Sequence, residues 1–164
     1  MDARGVLIVH SAPLVLRPHI EWAMSHVLGV AYRLTWQDQP AAPGTCRAEC
    51  AWDGPAGSAA RLASALRGWS DLRFEVTEEV AHGRDGARYM QTPSLGIFYS
   101  MIDSAGNALV TEDRIRYALD VAGSDSDAIH REIARALGQA WDDELEPFRS
   151  MTPAGHTGMR IVTA

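Results

Sequence analysis

The chain has 164 residues, 46% of them apolar and 22% charged, with a formal net charge of -6 and a pI near 5.4. That length suits one domain with a sizeable core, and the composition excludes a disordered chain. The acidic balance argues against a nucleic-acid-binding face. All 15 basic residues are arginine, which excludes Schiff-base and P-loop lysine chemistry.

The run Val6-Leu7-Ile8-Val9 is too short for a signal-peptide core and reads as a central strand covered on both faces. No stretch approaches the roughly 20 apolar residues of a membrane span, so the expectation is a cytoplasmic protein with no membrane span. A helix follows, with Pro18 in its first turn, Ile20, Ala23, Met24, Val27 and Leu28 as its core stripe, and Gly29 as its end. Tyr32, Leu34 and Trp36 alternate with Arg33, Thr35 and Gln37, which predicts a second strand. Pro40, Pro43 and Gly44 mark a loop. Cys46, Ala48, Cys50 and Trp52 then alternate as a third strand, broken at Asp53-Gly54-Pro55. Four strand residues span about 13 Å, too far for a disulfide between Cys46 and Cys50.

A second helix is predicted from about Ala56 to Trp69, with the stripe Ala59, Leu62, Ala63 and Leu66. Leu72, Phe74 and Val76 alternate with Arg73, Glu75 and Thr77 as a fourth strand. The order β-α-β-β-α-β over residues 5–78 predicts an α+β fold with a ferredoxin-like core, its first and third strands central. Residues 87–164 form an extension packed on that core, within one domain covering 1–164: a β-hairpin and two helices. His82-Gly83-Arg84-Asp85-Gly86 is a turn, Ala87 to Gln91 and Leu95 to Ile102 are strands, and Ala108-Leu109-Val110 pairs back across Asp103 to Gly106. Thr111 caps a helix that Gly123 closes, and Ser124 with Asp127 resembles a capping box for the next, which carries Ile129, Ile133, Ala136 and Leu137.

Catalytic motifs are weak. His10, His19 and His26 do not converge, since His19 and His26 lie about 10 Å apart along one helix, so no metal site is expected. His10 and Ser11 end the first strand, where ligands often bind, but no nucleophile elbow surrounds Ser11. Gly83 and Gly86 belong to a strand-to-strand turn, and a phosphate loop must open a helix. No cofactor is implied. One alternative is a small enzyme or ligand binder using His10, Ser11, Arg17 and His19, with Arg17 holding a carboxylate or phosphate.

The segment Trp141-Asp142-Asp143-Glu144-Leu145-Glu146-Pro147-Phe148 carries the other reading. A helix would put Trp141, Leu145 and Phe148 on one side, among four carboxylates. Such a segment completes the domain's own core, docks a protein partner through Trp141, Leu145 and Phe148 with Asp142, Asp143 and Glu144 beside them, or supplies paired carboxylates for acid-base work.

These segments together resemble an actinobacterial family, domain of unknown function 3145. The resemblance rests on His10-Ser11-Ala12-Pro13, Pro18-His19-Ile20-Glu21-Trp22, Pro40-Ala41-Ala42-Pro43-Gly44-Thr45, residues 57–69, residues 72–79, Thr92-Pro93-Ser94-Leu95-Gly96-Ile97-Phe98 and residues 141–149. The lack of a catalytic constellation and the acidic-aromatic segment lead to the expectation of a non-catalytic accessory or adaptor subunit, and the resemblance points to an acyl-CoA carboxylase or another fatty-acid synthesis enzyme as its partner. A homo-oligomer is compatible with the same surfaces.

Overall fold

The computed structural model describes residues 2–81 and 83–149. Seven strands form one antiparallel sheet in the order β2-β3-β1-β4-β5-β6-β7. They are β1 (Asp2–Pro13), β2 (Gln37–Asp38), β3 (Thr45–Pro55), β4 (Arg73–Glu78), β5 (Gly86–Thr92), β6 (Gly96–Ile102) and β7 (Ala108–Leu109). Among the described residues five α-helices accompany them: α1 (Arg17–Leu28), α2 (Ser58–Leu66), α3 (Glu112–Ala122), α4 (Ser126–Leu137) and α5 (Gln139–Arg149). The architecture is mixed α+β, as the alternation of periods 2 and 3.6 implied. Among the described residues no helix is long and apolar enough to cross a membrane.

β1 lies between β3 and β4, antiparallel to both. One face of these strands contributes Leu7, Val9, Trp52, Phe74 and Val76 to a single apolar cluster. Ile20, Ala23, Met24 and Leu28 of α1 and Ala59, Leu62, Ala63 and Leu66 of α2 complete it, because both stripes repeat at helical spacing. Gly5 permits the close packing of β1: a Cβ there would lie 1.8 Å from the Thr77 carbonyl oxygen and 2.6 Å from the Trp52 ring. Glu78, on the same side as Phe74 and Val76, accepts hydrogen bonds from the N–H groups of Gly57 (2.8 Å) and Ala59 (3.0 Å). A carboxylate at that helix N-terminus meets the positive end of the dipole.

The sheet runs on without a break from β4 into β5. Residues directly opposite across strands share a face, so Glu75, Met90 and Phe98 point away from the first cluster. α5 covers this second face, and Leu145 and Met90 are fully buried there, outside the first cluster. The turn from α4 to α5 passes close to the sheet at Gly138, which has φ 79°. A Cβ at Gly138 would sit 2.6 Å from the Phe98 ring and 2.9 Å from the Met90 methyl.

Several expectations change. Tyr32 to Trp36 does not pair as a strand; Gln37 and Asp38 alone join β3. The cause is Glu21, whose carboxylate accepts from the Leu34 N–H (3.1 Å), Trp36 Nε1 (3.0 Å) and Arg33 Nη1 (2.7 Å), tying the segment to α1. α2 is shorter than its pattern, since Gly57, at φ 83°, stands just before it and it ends at Leu66. The cap of α4 is Asp125, not Ser124: its carboxylate accepts from Asp127 and Ala128 N–H groups. The extension supplies three strands and three helices rather than a hairpin and two helices, because β5 joins β4 and Gly138 separates α5 from α4. Ala81 and Arg84 form a bridge around Gly83, at the expected turn. His82 and residues 150–164 lie outside the described residues.

Candidate functional site

A β-bulge decides what β1 does at its far end. The registers of β1 with both neighbours shift after Val9, and bulges re-aim side chains. His10 turns to the α5 face, where its Nε2 lies 2.8 Å from Glu75 Oε1. A carboxylate only accepts, so Nε2 carries the proton of this bond. Ser11 donates to Thr45 Oγ1 at 3.0 Å. Glu75 Oε2 accepts from Arg88 Nη2 (2.8 Å) and Nε (3.1 Å). From α5, Arg149 Nε reaches Glu75 Oε1 at 2.8 Å. Asp142 Oδ1 lies 2.8 Å from both Arg88 Nη2 and Arg149 Nη2. At the end of the helix, the Phe148 carbonyl accepts from Gln39 Nε2 (3.4 Å) and Arg47 Nη1 (3.3 Å).

Two guanidinium groups and two carboxylates therefore offset one another beneath α5. Burial alone would raise the Glu75 carboxyl, but the His10 hydrogen bond and the charges of Arg88, His10 and Arg149 outweigh it and hold the group well below the ordinary carboxylate range. Burial would likewise lower the Arg149 guanidinium, and Glu75 and Asp142 together raise it. Both oxygens of Glu75 are engaged, so this carboxylate anchors α5 to β4 and is poorly placed to take up a proton. His10 Nδ1 has no hydrogen-bond partner among the described residues.

A second feature lies at the other end of the sheet. β7 pairs with Met101 and Ile102 alone, so among the described residues β6 has an open outer edge before them. The Asp103 N–H points toward β7, bonding the Asn107 carbonyl at 3.0 Å. By the two-residue period of a strand, Met101, Tyr99 and Ile97 turn their backbone groups to that same side. An open groove of about 420 Å³ follows this edge, lined by Phe98, Tyr99, Ser100, Met101, Leu109, Val110, Thr111, Arg114, Arg135, Ala136 and Trp141. The lining holds two arginines and no carboxylate. Arg114 and Arg135 share one acidic partner, Glu132, at 3.5 Å and 2.6 Å. The Ser100 hydroxyl is buried without a hydrogen-bond partner among the described residues. Tyr99 and Leu109 of this lining are exposed, as are Ile115, Tyr117, Leu119 and Val121 of α3 and Leu137 of α4, while α3 buries only Ala118.

The family described as "Protein of unknown function (DUF3145)" matches residues 6–160. The chain belongs to this family. Comparison with curated proteins gave no match, and neither did comparison with solved structures.

In this DUF3145 chain the side chains singled out by sequence fall in separate places. Trp141 donates its Nε1–H to the Gly96 carbonyl at 2.9 Å and packs on Phe98, ring centroids 4.9 Å apart. Leu145 is fully buried, and Arg73 lies 4.6 Å over the Phe148 ring. The aromatic side of α5 thus faces the chain's own sheet. Asp142 joins the buried network, Glu144 bonds Ser94 and pairs with Arg73, and Asp143 and Glu146 are exposed. His10 and Ser11 are buried, whereas Arg17 and His19 are exposed on α1, near the rings of Trp36 and Trp69 respectively. Neither the β6 groove nor the smaller cavity beside α2 is lined by any of these four residues. Sequence reasoning missed Glu75, which alternation placed opposite Phe74 and Val76, and gave no role to Arg88 or Arg149. It also missed the groove. The short Ala108-Leu109-Val110 run beside a longer β6 was the available signal of an open edge.

Proposed function

We propose that this chain is a non-catalytic accessory subunit that acts by binding another protein. The observation that carries the reading is the apolar surface of the α3–α4 hairpin and β6. α3 buries only Ala118 yet exposes Ile115, Tyr117, Leu119 and Val121, and Tyr99, Leu109 and Leu137 of β6, β7 and α4 are exposed as well. A solvated helix pair does not require such side chains, which stand exposed on more than one side of α3, and exposed apolar surface beyond what packing uses is a mark of interaction sites. The buried ionisable groups support the same reading, since Glu75, Arg88, Asp142 and Arg149 bind one another and fix α5. An acyl-CoA carboxylase or another fatty-acid synthesis enzyme is the first partner to test.

The test uses the purified chain beside a Leu119→Glu/Val121→Glu variant. Both are mixed with purified acyl-CoA carboxylase and fatty-acid synthesis enzymes of the same cell, and separately with concentrated extract, and followed by sedimentation. A defined complex, lost in the variant while its unfolding midpoint holds, is the expected result. A wild-type chain that sediments alone in every mixture overturns the reading. For the fold, we infer in the same way that residues 5–78 follow the ferredoxin-like βαββαβ path. The order β2-β3-β1-β4 and the shared apolar cluster of α1 and α2 support this.

A further inference from the structure

We propose that the groove at the open edge of β6 takes an extended segment of the partner as an added strand, with an acidic side chain of that segment held by Arg114 and Arg135. The inference deepens the protein-binding reading and rests on it.

The backbone supplies the first argument. Ile97 and Tyr99 direct their N–H and C=O groups outward where β7 has already ended. Proteins usually protect such an edge with charges, Pro or bulges. Residues 95–102 contain no charged residue and no Pro, and Ile97 and Tyr99 are both exposed. An added strand would bond to these groups and send alternate side chains to opposite faces, as in strand-addition recognition. One set would meet Phe98, Ala136 and Trp141 in the groove, and the other Ile97 and Tyr99.

Charge supplies the second. Residues 103–149 carry eleven carboxylates against five arginines, so an acidic segment is repelled from most of this surface. The groove inverts that sign: its lining has Arg114 and Arg135 and no carboxylate, and among the described residues Glu132 is the one carboxylate that pairs with the two guanidinium groups. A guanidinium favours a carboxylate partner, whose charge-assisted hydrogen bonds are the stronger kind. The unpartnered hydroxyl of Ser100, 6% exposed and part of the lining, is a further polar group awaiting a partner.

Other occupants lack the chemistry. Residues 150–164 of this chain contain no Asp or Glu. A second copy laid β6 against β6 brings an uncharged strand to the arginines.

Random peptides displayed against the immobilised chain provide the test. The selected peptides should carry Asp or Glu beside β-branched residues. A synthetic peptide from the selection should slow amide exchange at Ile97 and Tyr99. Replacing its acidic residue by the amide should weaken binding about tenfold or more, the size of one lost charge-assisted bond. Arg114→Gln/Arg135→Gln should produce the same loss, with no further loss when both changes are combined. If that variant does not fold, Tyr99→Pro serves instead, because it removes one outward N–H at an edge that tolerates Pro. Selected peptides without acidic residues, or equal binding to the arginine variant, overturn the strand-addition proposal. So does peptide-dependent protection elsewhere than β6, or self-association of the chain through β6 in sedimentation. A partner complex that survives both variants overturns this inference alone and leaves the protein-binding reading standing.

Discussion

Under α1 and α2 the sheet buries Leu7, Val9, Trp52, Phe74 and Val76 against apolar helix stripes, whereas under α5 it buries Glu75, Arg88 and His10 beside Met90. The first face is held by burial of apolar area, which has no direction and tolerates small shifts. The second is held partly by charge-assisted hydrogen bonds, which do have direction. α5 can therefore sit in only one register: Arg149 must reach Glu75 while Asp142 meets both arginines. The difference teaches that one sheet can fix two helical layers by different means.

The largest expected effect tests that claim. Glu75→Ala leaves His10 without its partner and Arg88 and Arg149 with Asp142 alone between them, and breaking a buried ion pair from one side costs roughly 3–5 kcal/mol. Urea unfolding measures it, and a cost below about 1 kcal/mol would mean that α5 is held by its apolar side alone. The same network sets an acid response. Glu75 has a folded value depressed below the ordinary range, so its contribution is complete above its unfolded value of about 4.3 and is lost as the pH falls below that. The wild type should lose stability between neutral pH and pH values below about 4 more steeply than Glu75→Gln, in parallel urea titrations.

The next pair compares the apolar parts of the two layers. Leu62→Ala under α2 and Leu145→Ala on α5 should each cost roughly 2–5 kcal/mol, because both side chains are fully buried. A small loss at Leu145 alone would show that α5 is the looser layer. Asp125→Ala should cost about 1 kcal/mol, since its carboxylate caps α4 at two backbone N–H groups. Arg116→Ala sets the lower limit at about 0.3–0.5 kcal/mol, because its pair with Glu112 is an exposed i,i+4 contact. Thermal or urea unfolding reads all of these.

Much of the first layer was legible in the chain. Ile20, Ala23, Met24 and Leu28, and Ala59, Leu62, Ala63 and Leu66, show the helical period, and each of these residues is buried. The apolar run of β1 announced a central strand, and its neighbours on both sides agree. The spacing of Trp141, Leu145 and Phe148 placed them on one side of a helix, though not against a particular surface. Glu75 was not legible as a buried group. In a half-buried strand, alternation with Phe74 and Val76 reads as the solvated side, and only α5, about seventy positions later, covers it. Glu21 was hidden likewise, because its partners Leu34 and Trp36 lie across a turn.

What the sequence determined by itself was local: the periods that make α1, α2 and the strands, the arginine-only basic chemistry, and the free state of Cys46 and Cys50. These depend on neighbours a few positions apart, within reach of one helix turn or one strand pleat. The tertiary structure alone decided which carboxylates are buried, which arginines they meet, and that β6 keeps an open edge beside Arg114 and Arg135. Those outcomes depend on strand order and on where α5 lands. Both are settled by contacts between distant parts of the chain that no local period encodes.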